Sequence, residues 1–435
     1  MEFGILKILA LLNFLFFFLV MLFTKEDKNR VFIKYILLTY PLLSINLYGE
    51  LSCFDALALA FIFLFHKRKI IEFREGIIYF LVFLILIISI FIGVFSSDFV
   101  IKMSTIYLII SVFTIFFFSK LIIDECITMP DFFFRILKYL KIILVFSFIF
   151  LILQFIVGVQ FSLSIHQNPN IVSSQGIRYP SFLSDPQVYA QFLGMHSIIC
   201  LIDPSINNRM RSFSYLLIIL CIAAILIAGG RAGLIGLIVA FIFVVFFSNY
   251  KFKLSFISFA IPLYFIVANY LNNLMIFKRG TDLNEAYAFR YMVWTDALNI
   301  FFKHPFLGIG LGNYANYVNS HYPDQVWLRE GEFITFDHPE SGYLKILSET
   351  GSIGFICFIL LLFLPIVNGI KQFSIDKDKI VLLLTAAIIC WMVGFYSTFS
   401  LGETRIKILV SIVLSLLIVR IKYLKDYRSK MIFLP

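Results

Sequence analysis

Arg231 sits in Ala228-Gly229-Gly230-Arg231-Ala232-Gly233, between two long apolar runs. Its small neighbours let a backbone or a ligand approach closely. An arginine at a helix centre in lipid costs ~2.5–3.5 kcal/mol on insertion scales, so its presence asks for a reason. One reading is an arginine that snorkels and ends a hairpin; the other is an anion site. Arg290 and Arg178 lie in the two longest polar segments. A guanidinium presents a planar donor fork suited to phosphate oxygens. Three of them on one side of a membrane point to a pyrophosphate.

A proton acceptor is the second requirement of such a site. Asp337-His338-Pro339-Glu340-Ser341-Gly342-Tyr343-Leu344 offers an imidazole and two carboxylates within four residues, any of which can take a proton from a sugar hydroxyl. Pro339 and Glu340 also suit the first turn of a helix, and both readings can hold together. Glu349, in Ser348-Glu349-Thr350-Gly351-Ser352-Ile353-Gly354, reads as structural, with Gly351 and Gly354 marking a kink or close packing. Glu403 and Arg405 read as a packing pair. Asp376-Lys377-Asp378 has the form of a metal-sugar motif, but it lies in a Lys-rich connector on the opposite side. No nucleotide-phosphate loop, dinucleotide fingerprint or HExxH metal motif occurs. No metal and no cofactor is expected.

The elements that must position these residues are membrane helices. Of 435 residues 61% are hydrophobic and only 14% charged, with mean hydropathy +0.95. Soluble chains carry roughly 25% charged residues, which excludes a soluble multidomain enzyme, a disordered chain and a secreted disulfide scaffold. Apolar runs lie near 5–23, 31–48, 53–65, 77–95, 101–119, 139–159, 187–202, 213–229, 232–248, 254–271, 351–370, 380–398 and 404–421. A crossing takes about 20 apolar residues. The second and third runs are short enough to be one broken hairpin, so about 12 or 13 spans are expected. The six cysteines have no regular spacing and mostly lie in apolar runs, so neither a disulfide nor a metal cluster is inferred.

Alternate connectors differ sharply in charge. Those at 24–34, 66–76, 119–141, 203–211, 249–253, 371–379 and 420–430 hold 24 of the 36 Lys and Arg; the other set holds 8. The basic set is expected to face the cytoplasm. The net charge of +10 is thus a topology signal, and no nucleic acid partner is expected. The chain divides into N-terminal spans 1–159, an outer loop 160–187, spans 188–271 with the Arg231 hairpin, a large outer loop 272–340, and C-terminal spans with a cytoplasmic tail, 341–435. Long ordered loops are usually functional. Within the large loop, Arg290 to Leu298 has helical spacing. Tyr314, Tyr317, Tyr322 and Trp327 read equally as sugar-stacking faces or as an interfacial belt.

The order of these motifs resembles the O-antigen polymerase and ligase superfamily, the Wzy-type polymerases and WaaL-type ligases. The resemblance runs over about 213–370. It rests on Gly-Gly-Arg-Ala-Gly, then Arg290-Tyr291-Met292-Val293-Trp294, His304-Pro305-Phe306-Leu307-Gly308-Ile309-Gly310, His338 to Leu344, and Glu349 to Gly354. It implies an all-α polytopic membrane protein of GT-C-like glycosyltransferase character, in the bacterial inner membrane, with its active site facing the periplasm. The reaction implied is a metal-independent inverting transfer, with an undecaprenyl-diphosphate-linked glycan as donor and another as acceptor. Arg231 and Arg290 are then expected to hold the diphosphate, with Arg178, Tyr291 and Tyr343 as further substrate-binding residues. His338 or Glu340 is the expected base. Ligases of this superfamily usually carry a His-Asn pair, nine residues, then Gly-x-x-Gly; here Glu340-Ser341 occupies the pair's place and His338 falls two residues early. That departure favours a polymerase, with membrane lipid and a chain-length regulator protein as partners. A ligase acting on lipid A-core and a lipid-linked glycan transporter are the alternatives.

Overall fold

The computed structural model describes residues 3–66, 77–94, 103–159, 161, 163, 172–173, 176–202, 208–248, 283–322, 327–329, 332–334 and 338–432. The expected span at 254–271, the turn at 166–170 and Asp337 lie outside the described residues. So do most of the connectors 66–76 and 96–102.

The chain is an all-α polytopic membrane protein. Fourteen α-helices are described: α1 (Phe3–Phe23), α2 (Lys28–Leu38), α3 (Cys53–Leu64), α4 (Ile77–Val94), α5 (Met103–Thr128), α6 (Pro130–Val157), α7 (Pro186–Cys200), α8 (Asn208–Ala228), α9 (Arg231–Phe247), α10 (Leu283–Lys303), α11 (Tyr314–His321), α12 (Gly342–Asp376), α13 (Lys379–Phe395) and α14 (Thr404–Ile432). Lipid cannot satisfy a bare backbone, so apolar runs of this length close their hydrogen bonds within themselves. Strands among the described residues are three short antiparallel pairs in connectors. Gly4–Phe23, Ile106–Thr128, Pro130–Val157 and Gly342–Asp376 are each long and apolar enough to cross a bilayer; α3, α9 and α13 are shorter apolar helices.

The second and third apolar runs form a helical hairpin, α2 and α3, joined by a tight turn whose strands Asn46–Tyr48 and Leu51–Ser52 pair. Helices α5 and α6 run on through the connector expected at 119–141, with Met129 alone between them. Pro130 starts α6 at a position where its missing N–H costs nothing.

Helix α7 is the axis of the bundle, and nearly every one of its residues is buried. It packs against α8, α9 and α13. Glycine makes the close approach to α9 possible. A Cβ on Gly230 would lie 2.2 Å from the Ala190 Cβ, one on Gly233 2.3 Å from the Ala190 carbonyl carbon, and one on Gly236 2.3 Å from the Cys390 oxygen. These three positions, spaced by three, form a seam on which α9 meets α7 and α13. The seam fixes the height and rotation of Arg231, the first residue of α9.

Candidate functional site: a two-arginine mouth

The hairpin before Arg231 is tied from outside. Gly229 turns left-handed at φ 64° to end α8. Its carbonyl accepts from Arg178 Nη2 at 3.2 Å, and the Ala228 carbonyl accepts from Arg178 Nε at 3.0 Å. Arg178 is only 1% exposed. Its fork therefore holds the last carbonyls of α8, where a cation also complements the helix dipole. Sequence reading grouped Arg178 with the substrate ligands; the structure places it behind the hairpin, two residues from Arg231, with an exposed Arg231 in front.

Arg290 comes from α10, which packs along α12. Its Nη2 lies 3.9 Å from Glu340 Oε2, and Glu340 Oε1 lies 3.9 Å from His338 Nε2. These are ion-pair separations, longer than hydrogen bonds. Glu340 adopts φ 50°, a conformation non-glycine residues rarely take. That turn sets the His338 imidazole beside the Glu340 carboxylate and then releases the chain into α12. Arg231 and Arg290 are close enough for the second charge to act on the first. The structure thus gathers Arg231, Arg290, His338 and Glu340 at one mouth. Helices α9 and α12 both begin there, and their N-terminal dipoles add positive potential. Two like charges held together favour a dianionic ligand.

The large loop is locked to α12 by backbone. Helix α12 breaks at Gly351 (φ 63°, ψ −168°). The broken turn is closed by the glycine-rich segment. Ile309 and Gly310 donate to the Ser348 and Glu349 carbonyls at 3.1 and 2.8 Å. Ser352 and Ile353 donate to the Pro305 and Phe306 carbonyls at 2.8 and 3.2 Å. A Cβ on Gly308 or Gly351 would fall 2.4 Å from the facing backbone. The buried Glu349 carboxylate accepts from the Tyr314 N–H at 3.3 Å, which gives the structural role read from the sequence.

Two expectations change. Tyr314 and Tyr317 are 1% and 3% exposed and form, with Ala297, Ile300, Ile309 and Val318, a small core under the loop. They are not stacking faces. Burial, reinforced by Asp296 and Glu349, pushes the Tyr314 phenol well up, so it stays neutral. Tyr322 is half-buried under Lys303, and the side chain of Trp327 lies outside the described residues. Tyr343 is half-buried, with its hydroxyl donating to the Met392 carbonyl at 3.0 Å, so it ties α12 to α13. Tyr291 is 63% exposed. Asp378, from the metal-like motif, caps α13 and pairs with Arg420 at 2.6 Å.

Fold and site together define a polytopic membrane protein with a cationic mouth. Residues 216–359, about a third of the chain, match a family profile described as O-antigen ligase. The matched stretch holds the seam of α9, Arg231, Arg290, His338, Glu340 and the break at Gly351. The chain therefore carries an O-antigen ligase-family domain, consistent with the O-antigen polymerase and ligase superfamily, and that domain is of a glycosyl-transferring type. No curated protein matches the chain.

Proposed function

We propose that the protein is a polymerase of the bacterial inner membrane. It joins undecaprenyl-diphosphate-linked repeat units into O-antigen or a related surface polysaccharide on the periplasmic side. The observation that carries this reading is the convergence of Arg231 and Arg290 with the His338–Glu340 pair. The growing chain on its lipid diphosphate is the donor, and a hydroxyl of an incoming lipid-linked repeat is the acceptor. Glu340 or His338 takes the hydroxyl proton. The oxygen attacks the anomeric carbon from the face opposite the diphosphate, so the configuration inverts and the lipid diphosphate leaves. Arg231 and Arg290 stabilise the charge that builds on the leaving oxygens, the preorganised electrostatic effect that dominates such transfers. The basic connectors support a cytoplasmic location for the opposite end of the bundle.

Polymerase is favoured over ligase by the acidic residue where ligases carry their His-Asn pair, an acid that the structure seats between Arg290 and His338. Purified protein given only lipid-linked repeats should make a ladder. If product forms only when lipid A-core is supplied, the polymerase reading fails and the ligase reading stands. In a deletion strain complemented with variants, Arg231→Ala and Arg290→Ala should each lower product by about 10²–10³-fold at normal expression, the usual cost of removing one electrostatic donor. A transporter would keep its glycan products in the Arg290→Ala strain. Glu340→Gln and His338→Ala, compared in the same strain, identify the base.

A further inference from the structure

Trp294 lies one helical turn beyond Arg290 on α10, so the two side chains share a face. Its ring meets Tyr396 edge-on, with centroids 5.7 Å apart and planes at 66°. Tyr396 follows the end of α13 and is 56% exposed. The indole Nε1–H of Trp294 is covered and has no hydrogen-bond acceptor among the described residues. Buried donors are normally satisfied, so an orphan beside a substrate mouth asks for an acceptor from elsewhere. The neighbourhood closes into a ring of contacts. Arg290 reaches Glu340, Gly342 packs against the Phe395 ring, Phe395 adjoins Tyr396, and Tyr396 returns to Trp294. On its other side, Gln187 of α7 accepts from Thr398 at 2.7 Å, and the carbonyl of Pro186 lies against Gly230, next to Arg231. The aromatic corner is thus part of the same rim as the cations.

We propose that Trp294 and Tyr396 form the platform that receives the sugar ring attached to the diphosphate. Two rings set at an angle offer one apolar face and one edge. The C–H face of a pyranose packs on the exposed Tyr396 ring, which the Trp294 indole braces from behind, and its hydroxyls remain free for water. This assignment rests on the transferase reading, and it moves saccharide recognition away from the tyrosines of the large loop.

The test compares two ligands on the full-length protein in nanodiscs: bare undecaprenyl diphosphate, and the lipid-linked single repeat that accumulates in the deletion strain. Trp294→Ala and Tyr396→Ala should each weaken the glycan-bearing lipid by roughly tenfold while leaving the bare lipid within about twofold. Arg231→Ala should weaken both. Trp294→Phe keeps a ring in place, guards against a folding artefact, and should fall between wild type and Trp294→Ala for the glycan-bearing lipid alone. If the aromatic variants weaken both ligands equally, or neither, the corner is a packing or interfacial feature and this proposal is overturned while the transferase reading survives. If the wild type discriminates neither ligand and makes no glycan product, the transferase reading itself falls.

Discussion

Arg178 and Arg231 are neighbours in space with opposite duties. Arg178 spends its fork on two carbonyls at the end of α8; Arg231 is exposed where α9 begins. Lysine carries the charge but lacks the planar fork that bridges two acceptors. Arg178→Lys should therefore lower the thermal stability of the detergent-purified protein by roughly 1.5–3 kcal/mol, the worth of charge-assisted hydrogen bonds, and lower activity with it. Arg231→Lys should lower activity and leave the melting temperature in place. A melting curve and a ladder assay on the same two preparations separate the roles. Sequence alone grouped the two because charge and segment are visible in it, whereas which carbonyl a guanidinium reaches is not.

At the scale of elements, the site is held by two backbone contacts. One is the glycine seam of α9 on α7 and α13. The other is the break in α12, whose lost helical bonds are replaced by four from the 305–310 segment. Gly351 takes a positive φ, and a Cβ there would lie 2.4 Å from the Phe306 carbonyl. Strain of that kind costs of order 1–3 kcal/mol before any clash is counted. Gly351→Ala should unlatch the large loop from α12, displace Arg290 from Glu340 and abolish product. Gly402→Ala, where a Cβ would meet nothing nearer than 3.5 Å, should be tolerated. Protease susceptibility of the large loop in each variant reports the unlatching. The kink at Gly351 was legible because glycine pairs in an apolar run have few other uses. That its partner is the glycine-rich turn some 45 residues earlier was not, since backbone pairing leaves no side-chain signature. The fate of Tyr314 and Tyr317 was hidden for a related reason: an aromatic in a polar loop looks exposed until the loop is known to carry a core of its own.

Across the whole molecule, Arg405 joins distant parts of the chain. Its Nε and Nη2 donate to Glu403 at 2.7 and 3.1 Å, while Nη1 donates to the carbonyls of Pro41 and Phe182. Glu403 also accepts from the Ser184 hydroxyl at 2.8 Å. Burial alone would raise the Glu403 carboxyl, but the Arg405 charge and its hydrogen bonds bring it down to about 2. A carboxyl lowered on folding contributes stability above its unfolded value, and that contribution disappears as pH falls through the folded value. Thermal stability should be flat down to about pH 5 and fall between roughly pH 4 and 2. Glu403→Gln should be less stable at neutral pH and lose most of that acid limb. Orientation can be read with thiol chemistry, since all six native cysteines are buried. Lys303→Cys should react with an impermeant maleimide from outside, and Lys371→Cys only after permeabilisation. The helical, multi-crossing character of the chain was legible from composition, because no other architecture satisfies so apolar a backbone in lipid. Helix ends were less so: α5 and α6 continue through a connector whose charges marked the water boundary and not the end of the helix.

The seam of α9 also bears on how such a sequence can drift. Gly230, Gly233 and Gly236 leave no space for even one added carbon, whereas Ile235, Ile238 and Ile242 are 54%, 49% and 57% exposed on the lipid side. A saturation library over 229–243, selected for surface glycan, should show a tolerance profile with helical periodicity: intolerant at the three glycines and permissive to any greasy residue at the isoleucines. Arg231 would then be inherited together with its silent glycines, as one indivisible word in the sequence.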